Sequence, residues 1–324
     1  MIHKKKMGNC ESICPKPNPI PKRPAIPKNF SFSLIKNLYD HSGKVSCLIE
    51  LNDKRIATGS DDCFLKIWNI QSFQCEKTYN INNKLLCLLE FEPNMILIGN
   101  DKNNIELRNI NASLDESKIY TFEGHKQWVN DLAKIDNNLF ASASTDTTIK
   151  IWNYYSKQCI HTLNCEYSVL CLIKLKNGGL CSGHLDSSIR IWEMQNYTCI
   201  NTLTGHKNYI KCLCELQNDN IISGSADNTI KVWSNKMPHY DLKGHNKGVR
   251  SLCQIDDKYI ASASFDHSIK IWDLNQRQCI QTLTGHTDLV TGIIFHSNGY
   301  LISCSNDRSI KIWKKQRNSP NSMY

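Results

Sequence analysis

A run of the type TIKIW recurs through the chain, ending at Trp68, Trp152, Trp192, Trp233, Trp272 and Trp313, and the similar run NIELR ends at Arg108. Successive spacings between these seven positions are 40, 44, 40, 41, 39 and 41 residues. Six residues before each Trp stands an aspartate (Asp62, Asp146, Asp186, Asp227, Asp266, Asp307), and twenty-seven before it stands His41, His125, His206, His245 or His286, usually as Gly-His. Self-similarity at this period means one supersecondary unit copied seven times and stacked on its neighbours.

The sixth copy, GHNKGVRSLCQIDDKYIASASFDHSIKIWDLNQRQCIQTL, contains four apolar or alternating runs separated by the turn-rich DDK, FDH and DLNQR. That pattern predicts four short antiparallel strands. One such sheet cannot cover its own faces, whereas seven arranged radially can. The predicted fold class is therefore all-β.

These Gly-His, Asp and Trp positions resemble those of the WD-repeat family over residues 30–313. The resemblance implies a seven-bladed β-propeller of four-stranded antiparallel blades, closed by an N-terminal strand. FSLIKNLYDH at 32–41 matches the QCIQTLTGH segment that precedes other repeats, so residues 30–38 should pair with the strand ending at Trp313. Residues 1–29 form a basic Pro-rich tail and 314–324 a short basic tail. Copy 2 departs from the pattern, with Ile81, Lys102 and Arg108 at the His, Asp and Trp positions, and copy 4 has Cys165 for the His. Those two blades are expected to be less rigid for want of a buried network.

Each good copy offers Ser, His and Asp, as in His245, Ser264 and Asp266, the elements of a hydrolase triad. A buried indole N–H needs an acceptor, however, and hydroxyl, imidazole and carboxylate together can satisfy every donor. The resemblance implies such a structural network within each blade. For copy 6 the sequence leaves open whether Ser264 or Ser262 takes part. Five repetitions of one group argue for scaffolding over catalysis. No Gly-rich phosphate loop is present, the NGG at 177–179 reads as a turn, and no cofactor or small-molecule substrate is expected.

Many of the sixteen cysteines recur at equivalent places in the repeat: Cys75, Cys159, Cys199 and Cys279 at one, and Cys47, Cys87, Cys171 and Cys212 at another, with Cys253 two places further along the same strand-like run of its copy. Spread in this way they read as small buried hydrophobes, not as disulfides or metal ligands. The nearest pair, Cys212 and Cys214, is assigned to opposite faces of its strand. No run suits a membrane helix or a secretory signal, and a cytoplasmic protein is expected. The net charge of +9 is confined to the ends, +6 in residues 1–29 and +3 in residues 314–324. A neutral body argues against nucleic acid as a partner.

In the family, the loops carrying Gly-His and Asp share one face, the top, where partners bind. The third residue after the His position is Lys44, Lys84, Trp128, Ser168, Tyr209, Gly248 or Leu289; the fifth is Ser46, Leu86, Asn130, Leu170, Lys211, Arg250 or Thr291; the residue before the Asp position is Asp61, Asp101, Thr145, Leu185, Ala226, Phe265 or Asn306. Trp128, Tyr209 and Phe265 thus join Leu170, Leu185 and Leu289 on that face, with Lys211 and Arg250 beside them. Aromatics and arginine on one surface are hot-spot chemistry. The expected function is a non-catalytic protein–protein interaction scaffold or adaptor holding a peptide or protein loop. An alternative is a substrate-recognition subunit of a ubiquitin ligase, but only Lys211 and Arg250 would meet a phosphorylated or acidic peptide, and residues 1–29 leave no room for an F-box.

Residues 15–27, PKPNPIPKRPAIP, read as an extended spacer with PxxP at Pro21–Pro24 and Pro24–Pro27. MGNCES at 7–12 is an N-myristoylation pattern, Gly8 being the acceptor and Cys10 a site for a second chain, if translation begins at Met7. Two acyl chains, or one with the basic tail, would hold the protein on a membrane as a signalling adaptor.

Overall fold

The computed structural model describes residues 30–234 and 237–316. The first strand, β1 (Phe32–Leu38), is followed by six consecutive four-stranded sheets. Blade 1 comprises β2 (Val45–Glu50), β3 (Ile56–Ser60), β4 (Phe64–Asn69) and β5 (Gln74–Asn80). Blade 2 comprises β6 (Leu85–Glu92), β7 (Met95–Asn100), β8 (Ile105–Asn109) and β9 (Lys118–Phe122). Blade 3 comprises β10 (Val129–Lys134), β11 (Leu139–Ser144), β12 (Thr148–Asn153) and β13 (Gln158–Asn164). Blade 4 comprises β14 (Val169–Lys174), β15 (Leu180–His184), β16 (Ile189–Glu193) and β17 (Thr198–Leu203). Blade 5 comprises β18 (Ile210–Glu215), β19 (Ile221–Ser225), β20 (Thr229–Ser234) and β21 (Met237–Lys243). Blade 6 comprises β22 (Val249–Gln254), β23 (Tyr259–Ser264), β24 (Ile269–Asp273) and β25 (Gln278–Leu283). The last three strands, β26 (Val290–Phe295), β27 (Tyr300–Ser305) and β28 (Ile310–Lys315), are completed by β1. The fold is the expected all-β seven-bladed propeller.

The closure is as the sequence predicts: β1 runs antiparallel to β28, from Phe32 opposite Lys315 to Leu38 opposite Ile310. The Gln281 side chain on β25 grips the backbone of Phe32 twice, accepting its N–H at 2.8 Å and donating to its carbonyl at 2.7 Å. Gln316 N–H donates to Ser31 carbonyl at 2.8 Å, so the chain enters and leaves the ring side by side. This edge is the bottom, opposite the Gly-His loops.

The innermost strands β2, β6, β10, β14, β18, β22 and β26 pack in sequence and close on each other through β2 and β26. One residue on each, Val45, Leu85, Val129, Val169, Ile210, Val249 and Val290, is wholly buried between blades. Burying a side chain of this kind contributes about 1.5–3 kcal/mol. Close approach between blades explains the paired Cys and Gly positions. A Cβ on Gly224 would lie 2.6 Å from Cys212 Sγ and 2.7 Å from Val249 Cγ1, leaving room for neither.

Two expectations about cysteine fail. Cys159 and Cys199 are exposed, and Cys75 and Cys279 only half-buried, because the outermost strand of a blade has no further layer to cover it. Cys212 and Cys214 share one face, since residues two apart on a strand point the same way; both pack in the seam between blades 5 and 6. Burial pushes their thiols up, to about 12 and about 11 respectively.

Candidate functional site

The top face is built on a hydrogen-bond relay inside each regular blade. In blade 6 the Trp272 indole donates to Ser262 Oγ at 2.8 Å, Ser262 meets His245 Nε2 at 2.7 Å, and His245 Nδ1 meets Asp266 Oδ2 at 2.8 Å. Asp266 also accepts the backbone N–H of Asn246 at 3.0 Å and of Ser268 at 3.0 Å, tying the Gly-His loop to the turn between the second and third strands. Ser262 therefore fills the role left open between two serines. Ser264, two residues on, instead donates to the Lys247 carbonyl at 2.9 Å. Ser264 also accepts the Asp266 backbone N–H at 3.1 Å, but His245 Nε2 is engaged by Ser262, so His245, Ser264 and Asp266 do not form the serine-to-imidazole link of a triad.

The same relay joins Trp68, Thr58, His41 and Asp62 in blade 1 and Trp152, Ser142, His125 and Asp146 in blade 3. It recurs as Trp233, Ser223, His206 and Asp227 in blade 5 and as Trp313, Ser303, His286 and Asp307 in blade 7. Burial opposes ionisation of each aspartate, but hydrogen bonds from its histidine and from backbone N–H groups outweigh it and hold the carboxyl well below the ordinary range. The hydroxyl accepts the indole N–H on one side and meets Nε2 on the other while Nδ1 faces the carboxylate, so both ring nitrogens are engaged. Each hydroxyl is wholly buried and fully engaged, which suits a brace and not a nucleophile.

Blades 2 and 4 carry substitute networks where none was expected. In blade 2 the Arg108 guanidinium donates to buried Glu106 at 3.0 Å and to Ser117 Oγ at 3.0 Å, and Phe91 stacks on Tyr154 of blade 3 at 4.1 Å. In blade 4 the histidine comes from β15: Trp192 donates to Ser182 at 2.8 Å, Ser182 meets His184 Nε2 at 2.7 Å, and Arg190 links on to Asp186 at 3.1 Å.

These relays hold a rim around the top of the ring. The third residue after the His position and the residue before the Asp position are hydrogen-bonded neighbours in every blade, for example Thr145 N–H to Trp128 carbonyl at 3.0 Å and Phe265 N–H to Gly248 carbonyl at 2.9 Å. Trp128 is 56% exposed and Leu185 49%, while Tyr209, Phe265 and Leu289 are half-buried. Phe265 lies across Gly248, where a Cβ would come within 3.4 Å of its ring. Blades 1 and 2 present Asp61, Lys84 and Asp101 at the same level, so the rim is apolar on one side and charged on the other.

The fifth-position residues sit deeper than the sequence reading placed them. Leu170, Lys211 and Arg250 line the central channel with Ser46, Asn130 and Thr291, around a cavity of ≈ 200 Å³. Lys211 Nζ lies 5.2 Å from the Tyr209 ring, linking channel to rim. Two residues escaped the sequence reading. Tyr167, 45% exposed in the Gly-His-type loop of blade 4, stands one place before the position that was counted. Asp131 enters the channel where the other blades have Cys, Ser or Gly; burial pushes its carboxyl up to about 6 despite N–H donors from Leu172 and Leu132.

Among the described residues no cluster of His, Cys, Asp and Glu is arranged to hold a metal. Gly8, Cys10 and the PxxP segments lie outside the described residues.

Six segments, 32–69, 116–153, 157–193, 197–234, 236–273 and 277–314, match the family model described as WD domain, G-beta repeat. The gap between the first two falls on blade 2, whose Trp position is Arg108. The nuclear distribution protein PAC1 of Candida dubliniensis is 28% identical over 145 residues, 44% of this chain and 27% of that protein. The nuclear distribution protein nudF 1 of Talaromyces marneffei is 26% identical over 144 residues, 43% of this chain and 30% of that protein. A probable E3 ubiquitin ligase complex SCF subunit, scon-2 of Neurospora crassa, is 46% identical over 46 residues, 14% of this chain and 7% of that protein. Each match spans less than a third of the relative's length.

Proposed function

The chain belongs to the WD-repeat family, whose repeats make interaction scaffolds, and from that premise we propose that it is a non-catalytic adaptor that binds a peptide or protein loop across the apolar side of its top rim. The observation that carries this reading is the exposure of Trp128 (56%), Leu185 (49%) and Tyr167 (45%) on the adjacent blades 3 and 4. Large apolar groups held together on rigid turns lose little entropy when covered, and a partner removes them from water. Tyr209, Phe265 and Leu289 continue the surface around blades 5 to 7, while Asp61, Lys84 and Asp101 supply a polar edge that fixes orientation.

The test is affinity purification from the native cell with wild type and with Trp128→Ala plus Tyr209→Ala, both first shown to melt alike. Loss of a discrete set of partners supports the rim as the binding surface. An unchanged set refutes it.

A second arrangement is supported by the adjacency of Ser31 and Gln316 on the bottom edge. In a chain begun at Met7, acyl groups on Gly8 and Cys10 with both basic tails would then hold the bottom to a membrane and leave the rim facing the cytosol. Fractionation of cells expressing Gly8→Ala tests it: membrane association that survives the substitution sinks the idea. A ubiquitin-ligase role draws support only from the short match to scon-2, which covers little more than one repeat.

A further inference from the structure

Five blades carry an apolar side chain two residues after the Trp position, where it closes the bottom of the seam to the preceding blade. Ile70, Ile110 and Tyr154 are buried there, and Met194 and Leu274 pack against the same kind of seam cluster. Blade 7 has Lys315 at that position, and its seam is closed instead by Phe30, which arrives ahead of β1 and stacks on Tyr259 of blade 6 at 3.9 Å. Blade 5 has Asn235, which lies outside the described residues. The hairpin that carries it is two residues shorter than those of blades 1, 3, 4 and 6: Trp233 pairs with Pro238, five residues on, whereas Trp68, Trp152, Trp192 and Trp272 each pair with a cysteine seven residues on.

The seam between blades 4 and 5 is correspondingly open. A cavity of ≈ 540 Å³ lies at its bottom, between Leu175 and Ile191 of blade 4 and Ile221 and Trp233 of blade 5. Ile221 keeps 5% of its surface exposed, whereas the residues opposite the Trp position in the other blades, such as Ile56, Phe140 and Ile260, are wholly covered. An apolar side chain entering this space is taken out of water, as Phe30 is in the seam between blades 6 and 7.

The described chain begins at Phe30 on this same bottom face, with residues 1–29 before it. The open seam lies two sheets round the ring from Phe30, about 20–30 Å away at ~10 Å for each packed sheet. A Pro-rich stretch extends by about 3.1 Å per residue, so Ile26, four residues before Phe30, reaches only about 12 Å, whereas Ile20, ten residues before it, reaches about 31 Å. Charge points the same way. On the bottom of blades 5 and 6, Asp219 and Asp273 are paired with Lys176 and Lys258, but Glu215 at the cavity and Asp256 and Asp257 in the turn of blade 6 have no cation partner among the described residues. The stretch that follows Ile20 carries Lys22, Arg23 and Lys28 and no acid.

We propose that residues 17–28, PNPIPKRPAIPK, dock along the bottom of blades 6 and 5 and seat the Ile20 side chain in the open seam between blades 4 and 5. Lys22 and Arg23 then pass over Glu215, Asp256 and Asp257. Docking there does not depend on what crosses the rim. It holds the two charges against the ring, so the ring competes with a membrane for them.

Hydrogen exchange of the full chain, read by mass spectrometry, tests it. Ile20→Asp should raise exchange in residues 175–179 and 216–221 by roughly threefold or more, because a charged side chain cannot stay in the cavity and the segment leaves the seam. Ile26→Asp should leave those residues nearly unchanged, since Ile26 does not reach them. Both substitutions lie ahead of the ring, and a melt of each variant confirms that it folds. A photoreactive benzophenone side chain installed at position 20 identifies the occupant: the expected product is a cross-link within one chain to residues 175–179, 191 or 215–221. A cross-link that joins two copies gives the cavity to a second molecule and overturns the proposal, as does one to another part of the ring or none at all. Exchange that Ile20→Asp leaves as in the wild type overturns it equally.

Discussion

His184 Nε2 lies 2.7 Å from Ser182 Oγ, two residues away on the same strand, and through it reaches the Trp192 indole. In the regular blades the histidine arrives from the loop before the innermost strand, a position that Cys165 occupies here. Blade 4 thus satisfies its indole and hydroxyl by a local route. His184→Ala should cost about 1–3 kcal/mol, the penalty for leaving a buried donor unmatched. Rebuilding the regular arrangement with Cys165→His and His184→Ser together should recover much of that loss, because Ser182 and Asp186 are already in place. Urea unfolding of the single and double variants measures both; a double variant no more stable than His184→Ala would show that the blade cannot accept the loop histidine.

The same residue sets a pH dependence. Burial, helped by Arg190, lowers His184 from the ordinary 6.5 to about 4. It stays neutral in the fold, so its contribution is complete above about pH 6.5 and is lost as pH falls toward 4. Asp131 acts in the opposite sense. Burial raises its carboxyl to about 6, so the fold disfavours its charge above that pH and is relieved of the cost on the way down to about 4. The two nearly cancel between pH 4 and 6.5. His184→Ser should leave stability rising toward acid, and Asp131→Cys, the residue four other blades carry, should leave it falling, each by about 1 kcal/mol per pH unit at the steepest. Denaturation midpoints at half-unit steps read this directly. The aspartates of the five regular relays, whose pKa values lie below the ordinary range, lose their contribution only below roughly pH 4, where all variants should weaken together.

Blade 2 replaces the relay by an ion pair. Arg108 and Glu106 are 7% and 2% exposed and meet at 3.0 Å. Removing the cation alone with Arg108→Ala should destabilise by up to about 3–5 kcal/mol, since Glu106 Oε2 is left buried without its partner and only Oε1 keeps Asn83 at 3.4 Å and Lys118 at 3.8 Å. Replacing both with leucine should cost far less, or nothing. A thermal melt in which the double variant falls as far as the single one would show that the pair contributes more than mutual neutralisation.

The regular spacing of Asp and Trp made the number of blades legible, because those positions answer to the geometry of the blade itself, while the closing strand was legible from the family resemblance and from the likeness of residues 32–41 to the segment before the other repeats. What was not legible depends on contacts between strands. Ser262 and Ser264 lie two apart on one face of β23, so periodicity cannot choose between them; the choice is made by the reach of Trp272 from the neighbouring strand. His184 was not legible because it stands where the regular blades carry a serine, far from the Gly-His position that supplies their histidine. Lys211 and Arg250 were assigned to the right end of the ring but to the wrong depth, since counting along a strand does not reveal how far the channel mouth is recessed. Asp131 is the instructive miss: it is the one acid in a column otherwise of Cys, Ser and Gly, a difference visible in the sequence once the channel is known.

The closing strand offers the sharpest test of the architecture. Residues Phe32 to Leu38 supply the outer edge of blade 7, pair with β28 and cover Trp313, and Phe30 stacks on Tyr259 of blade 6 at 3.9 Å. A chain beginning at residue 29 retains all of this. A chain beginning at residue 39 leaves β28 as an exposed edge, uncovers Trp313 and removes the Gln281 clamp. Phe30, Phe32 and Leu38 are each at least nine-tenths buried, and losing burial of that kind costs about 1.5–3 kcal/mol per side chain before any backbone bonds are counted. The first truncation should therefore melt within a few degrees of the full chain, while the second should melt far lower or fail to fold. Equal melting temperatures for the two would mean that the ring closes by some other pairing.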